Sequence, residues 1–267
     1  MQIVCYIAVN ELIMARQEGI VRFVGTLGGI NFYKRKGVAV ARKAGGGFTR
    51  EAIKNKPSMQ RVRENSSEFG RCSTVKKAFR LGLLPFLHAV KDGGLHGRMM
   101  RLFQQIKVLD TVNTRGKRTV AQGMTTAMGR KLLRDFAFTP ACSIPKTLGG
   151  NAAFDWDNYR YVATDFYLQY VTFPTGASHV GLQLGLLCFD FDTLVSTLST
   201  SDHFFMNKEF TANTFTLELT ELPTATGVQI VVLGMQFYQE VEGELYALHS
   251  QHFVGLEVLG VREGLNV

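Results

Sequence analysis

Cysteine is scarce and scattered in this chain of 267 residues: Cys5, Cys72, Cys142 and Cys188 lie far apart, and no CxxC pair occurs. That spacing excludes half of a zinc ribbon and the dense framework of a small secreted scaffold, leaving buried free thiols as the expectation. Long apolar runs are missing too. Nowhere do about 18 apolar residues follow one another, so no membrane span and no membrane partner is expected. The apolar start, Ile3 to Val9, has no basic stretch before it and runs into Asn10 and Glu11, so it does not read as a signal peptide. The expectation is a soluble, cytoplasmic protein.

Catalytic signatures are equally thin. There is no GxSxG and no HExxH, so nucleophilic or metal-assisted hydrolysis has no warrant. Gly45-Gly46-Gly47-Phe48-Thr49 lacks the lysine that a phosphate loop places after its last glycine, and reads as a turn. His249 and His252 stand three apart near a strand end, where alternation sends them to opposite faces; His88, His96, His179 and His203 stand alone. Asp155 with Asp157, and Asp190 with Asp192, could hold calcium, but read better as the solvent-facing halves of strands. No enzyme, cofactor or metal site is expected.

Acid is what the first part of the chain lacks most. Residues 1–150 hold 27 Lys and Arg against 8 Asp and Glu, whereas residues 151–267 hold 3 against 14. The formal net charge of +8 therefore hides two regions of opposite sign. The length admits two modest cores, and the charge boundary supplies a place to divide them. The expected organisation is an N-terminal extension over 1–19, a basic module over 20–137, a linker over 138–152 and an acidic domain over 153–267. Met14 is a plausible start of translation, because MARQEG opens a polar segment after an apolar one.

Periodicity fills in these regions. From Ile20 to Ala41, β-prone runs alternate with glycine turns and read as a β-meander or hairpin. A short helix follows Thr49 and ends before Pro57. Ser58 is the expected N-cap of a longer helix whose apolar stripe is Val62, Phe69, Cys72, Val75, Phe79 and Leu83, with Arg61, Arg63, Arg71, Lys76, Lys77 and Arg80 on the opposite face. Two more amphipathic helices, near 97–112 and 120–136, complete a small bundle. After the prolines and glycines of 138–152 the period drops to two. Val180, Leu182, Leu184, Leu186 and Cys188 form one alternation and Phe215, Leu217 and Leu219 another, both read as half-buried strands. Further strands are expected at 161–173, 228–241, 244–249 and 253–261, with Glu242-Gly243 as a hairpin turn. The fold class is thus α+β: a β-hairpin and helical bundle followed by an antiparallel β-sandwich of immunoglobulin-like or fibronectin-like topology.

The segments GTLGGINFYK, RVRENSSEFGR, DTVNTRGKRTV and GMQFYQEVEGELYAL resemble those of a recurrent, uncharacterised Bacteroidota protein family. The likeness runs from about Met14 to Val261. It implies a bacterial source and a compact two-part protein, and supports Met14 as the start. The family has no assigned activity, so the resemblance carries over no catalytic residue.

The basic residues are the strongest positive signal. Lys34, Arg35, Lys36, Arg42, Lys43, Arg61, Arg63, Lys76, Lys77, Arg115, Lys117 and Arg118 could contact a polyanion such as nucleic acid, with Phe32 and Tyr33 available for stacking, or an acidic protein surface. The alternative is self-assembly, a homo-oligomer in which the basic module of one copy meets the acidic domain of the next.

Overall fold

The computed structural model describes residues 14–18, 22–44, 49–221 and 226–264. The chain forms two compact units, Met1–Arg63 and Glu64–Val267.

The first unit contains the expected meander. Strands β1 (Met14–Arg16), β2 (Gly25–Leu27), β3 (Ile30–Arg35) and β4 (Val38–Lys43) form an antiparallel sheet in the order β1-β4-β3-β2. Its turns need left-handed backbone, which Gly28-Gly29 and Lys36-Gly37 adopt. Met14, Ala15 and Arg16, expected to lie in an extension, pair instead with Arg42, Ala41 and Val40. Helix α1 (Arg50–Asn55) starts where Thr49 accepts a hydrogen bond from the Ala52 amide at 3.1 Å, and it ends before Pro57. Cys5 and the triple glycine lie outside the described residues.

Helix α2 (Gln60–Gly82) begins after a 3-10 turn over Pro57–Met59, so Ser58 belongs to that turn and is not the N-cap. The second unit continues with α3 (Leu84–Leu87), α4 (Leu95–Val108), α5 (Val120–Met124), α6 (Ala127–Arg134) and α7 (Ile144–Leu148). The expected third helix is thus two. Thr126 interrupts it and caps α6, accepting from the Gly129 amide at 3.0 Å. The strands are β5 (Asn151–Asp155), β6 (Arg160–Thr164), β7 (His179–Phe189), β8 (Ser196–Thr200), β9 (Phe204–Asn207), β10 (Phe215–Glu218), β11 (Val228–Val241), β12 (Glu244–Ala247) and β13 (Val254–Arg262).

These strands form a mixed α and β architecture around a curled antiparallel sheet. Its centre is the long pair β7 and β11, in register from Val228 opposite Phe189 to Tyr238 opposite His179. β13 and β12 share the outer edge of β11, and β8 and β9 share that of β7. A second sheet, β10-β6-β5, has three strands. Val180, Leu182, Leu184 and Leu186 of β7 pack with Val231, Leu233, Met235 and Phe237 of β11 against Tyr161 and Ala163 of β6 and Phe215 and Leu217 of β10. The other face of the same strands is covered as well. Leu187, Phe189, Ile230 and Val232 share a core with Phe79, Phe103 and Ile106 of the helices. The central strands are therefore buried on both faces, not half-buried.

Glycine makes the helix-side packing possible. A Cβ on Gly185 would stand 2.5 Å from the Phe86 ring and one on Gly234 would stand 2.7 Å from it, so two glycines placed diagonally on adjacent strands form the seat of that ring. Helices and sheet share one core, and the segment 138–152 joins them: Phe138, Cys142, Ile144 and Leu148 are all buried in it or its neighbour.

Candidate functional site

The exposed side of α2, with α3 and the start of α4, encloses a groove of about 810 Å³ lined by Phe69, Ser73, Lys76, Lys77, Arg80, Leu81, Leu84 and His96, among others. The local folding explains it. Cys72, Val75, Phe79 and Leu83 turn into the core, which fixes the rotation of α2 and sends Phe69, Lys77 and Leu81 outward. Gly82 ends the helix against the sheet, where an added Cβ would meet Leu187 and Ser196 at 3.0 Å. Leu95 is then buried at the start of α4, and His96 beside it faces the groove.

The groove combines apolar surface with unbalanced charge. Phe69, Leu81 and Leu84 are each more than half exposed. Lys76, only 5% exposed, places its Nζ 2.9 Å from His96 Nδ1. A neutral imidazole can accept there, but it brings no negative charge. Burial pushes the Lys76 ammonium below its usual range, and the positive charge of Arg80 pushes it the same way. Lys77 and Arg80 are exposed, and among the described residues no carboxylate lines the groove. Three cations thus surround an amphipathic cleft in which no described residue supplies an acid to balance them.

Other sequence candidates have internal roles. Glu68, 1% exposed, lies among Lys107 Nζ at 2.6 Å, Arg118 Nε at 2.9 Å and the Gly116 amide at 2.8 Å. Arg118 completes a two-pronged contact at 3.0 Å. The Arg118 guanidinium is the main cause that holds the Glu68 carboxyl at about 2. Arg115 reaches Asn65 at 3.1 Å and Glu64 at 3.6 Å. Arg118 and Arg115 therefore clasp the 110–119 loop onto α2, and Asp110 orders that loop by accepting from the amides of Val112, Asn113 and Thr119. Lys117 is exposed on the same loop. Arg63 donates to the Ile53 and Lys56 carbonyls and closes the end of α1. Arg61 is exposed on the first turn of α2. Lys34, Arg35, Lys36, Arg42 and Lys43 are exposed on the meander, where Arg42 lies over the Tyr33 ring at 5.6 Å.

Of the twelve sequence candidates the groove brings together Lys76 and Lys77. Arg80, Phe69, Leu81, Leu84 and His96 complete it. The available signal was the spacing of Ser73, Lys77 and Arg80, which share one face of α2. Neither DxD pair is a solvent-facing strand half: Asp155 ends β5 and accepts from the amide of Asp157 in the following turn at 3.0 Å, and Asp190, in the turn after β7, accepts from the Asp192 amide at 2.8 Å. Among the described residues no cluster of three or more His, Cys, Asp and Glu could hold a metal ion, and no helix is long and apolar enough to cross a membrane. No known family, curated protein or solved structure matches this chain.

Proposed function

We propose that this is a non-enzymatic binding protein whose α2 groove takes an acidic, amphipathic protein segment. The observation that carries the reading is the carboxylate-free cluster of Lys76, Lys77 and Arg80 beside exposed Phe69, Leu81 and Leu84. An acidic segment supplies the missing charge and covers the apolar wall together. Three cations in a cleft favour an anion, and the exposed aromatic and leucine side chains favour a partner with apolar groups of its own. A nucleic acid would use the charge but leave Leu81 and Leu84 without a matching surface.

The test is a fluorescence-anisotropy titration with a labelled peptide of alternating Glu and Leu, run beside an oligothymidylate of equal charge. The peptide is expected to bind more tightly, with Lys77→Glu/Arg80→Glu weakening it at least tenfold. Tighter binding of the oligothymidylate would assign the groove to nucleic acid, and no binding of the peptide would overturn the proposal.

A further inference from the structure

The acidic part of the chain carries a surface that complements this groove. β11 and β12 form a hairpin whose turn, Glu242-Gly243, has left-handed backbone at both residues, with φ of 53° and 83°. The register sets Val241 opposite Glu244 and Gln239 opposite Tyr246, so these four side chains share one face. All four are exposed, Val241 and Tyr246 among them as large apolar groups. Glu242 stands at the tip, and neither strand contains a lysine or arginine. The hairpin thus offers two exposed apolar side chains and one carboxylate on this face and a second carboxylate at its tip, against the exposed apolar side chains and cations of the groove.

We propose that the groove is filled by the β11–β12 hairpin of a second copy of this chain, so that copies join head to tail. This rests on the reading of the groove as a site for an acidic segment, and names its occupant. The dimensions agree. The groove follows α2 from Phe69 to Leu81, about 18 Å at the helical rise, and continues to Leu84 of α3. The paired part of the hairpin, Tyr238–Val241 with Glu244–Ala247, is about 14 Å long.

A hairpin cannot serve its own groove. Gly82 sits over Leu187, which pairs with Ile230, and from there α2 runs back past Phe79, whose ring meets Phe189 and Phe191. That direction leads away from the end of β11 that carries the turn. The tip at Glu242 lies about 40 Å along β11 from Ile230. α3, at one end of the groove, comes close to Tyr238 at the base of the hairpin, but the paired strands carry the tip onward, away from α2, so the joint links one copy to the next and leaves a groove and a hairpin unused at the ends.

The experiment is light scattering at about 50 mM salt on three proteins: wild type, Lys77→Glu/Arg80→Glu and Glu242→Lys/Glu244→Lys. Wild type is expected to gain mass with concentration. Each variant alone is expected to stay monomeric, because its groove and hairpin then carry the same sign. An equimolar mixture of the two is expected to regain mass, because each reversed element meets its complement. Val241→Ser/Tyr246→Ser, which leaves the charge untouched, is expected to weaken association at least tenfold. A wild type that stays monomeric, or a hairpin variant that associates like wild type, overturns the proposal. If the Glu-Leu peptide still binds in that case, the groove takes another acidic partner; if the peptide also fails, the reading of the groove falls with it.

Discussion

Replacing Glu68 with glutamine keeps the shape of the side chain and removes its charge, leaving Lys107 buried at 6% exposure with no carboxylate. The carboxyl is held at about 2 against an ordinary 4.5. That difference corresponds to about 3 kcal/mol at neutral pH, within the range for breaking a buried ion pair. The folded value lies below the unfolded one, so the unfolded chain binds the proton more readily. Glu68 therefore contributes its full stabilisation above about pH 5, and loses it as pH falls through 4 toward 2. Urea denaturation followed by circular dichroism is expected to show Glu68→Gln less stable by about 3 kcal/mol at pH 7, a melting temperature lower by about 6–12 °C. The deficit is expected to shrink to under about 1 kcal/mol near pH 2. A variant within about 1 kcal/mol of wild type at pH 7, or one with the same deficit at both pH values, would refute the assignment of Glu68 as the ionised clasp of the 110–119 loop.

Three further outcomes are expected. Lys107→Met removes one of the two cations on Glu68 and is expected to cost about 3 kcal/mol in the same assay. Lys76→Met is expected to be neutral or stabilising by about 1 kcal/mol, because it removes a buried cation that has no carboxylate beside it. A large loss from Lys76→Met would show that the His96 contact holds the fold. Gly185→Ala forces a methyl group into the Phe86 ring and is expected to lower stability by about 1–3 kcal/mol, and an unchanged melting temperature would show that α3 is not seated there.

The long strands were legible where alternation and turns agreed, but the strand expected at 161–173 ends at Thr164 and a 3-10 turn follows at Leu168–Tyr170, while β8 and β9 were not foreseen. β11 spans the expected 228–241, and Glu242-Gly243 makes the expected turn. The layering was not legible. The alternation of β7 read as a half-buried strand, yet Gly181, Gly185 and Gly234 are seats for Phe205, Tyr238 and Phe86. An absent side chain reads the same whether water or a ring fills the space. The face of α2 was misread for a related reason. Helical spacing groups residues, but the neighbouring elements decide which group is covered, so Phe69 is exposed while Lys76 is buried. Glu68 was hidden among basic neighbours, and its partners Lys107 and Arg118 lie 39 and 50 residues away, where periodicity carries no information. The groove inherited both difficulties, since it needs the exposed Phe69 and the buried Lys76 at once.

The most direct measurement of the groove's role is size-exclusion chromatography with light scattering of the wild-type protein at about 50 mM and 500 mM salt, recording absorbance at 260 and 280 nm. The expected result is a mass above the monomer at low salt that dissociates at high salt, with a protein-like absorbance ratio throughout. A monomer at both salt concentrations would contradict head-to-tail assembly, and co-eluting nucleic acid shed at high salt would contradict the reading of the groove as a site for an acidic protein segment.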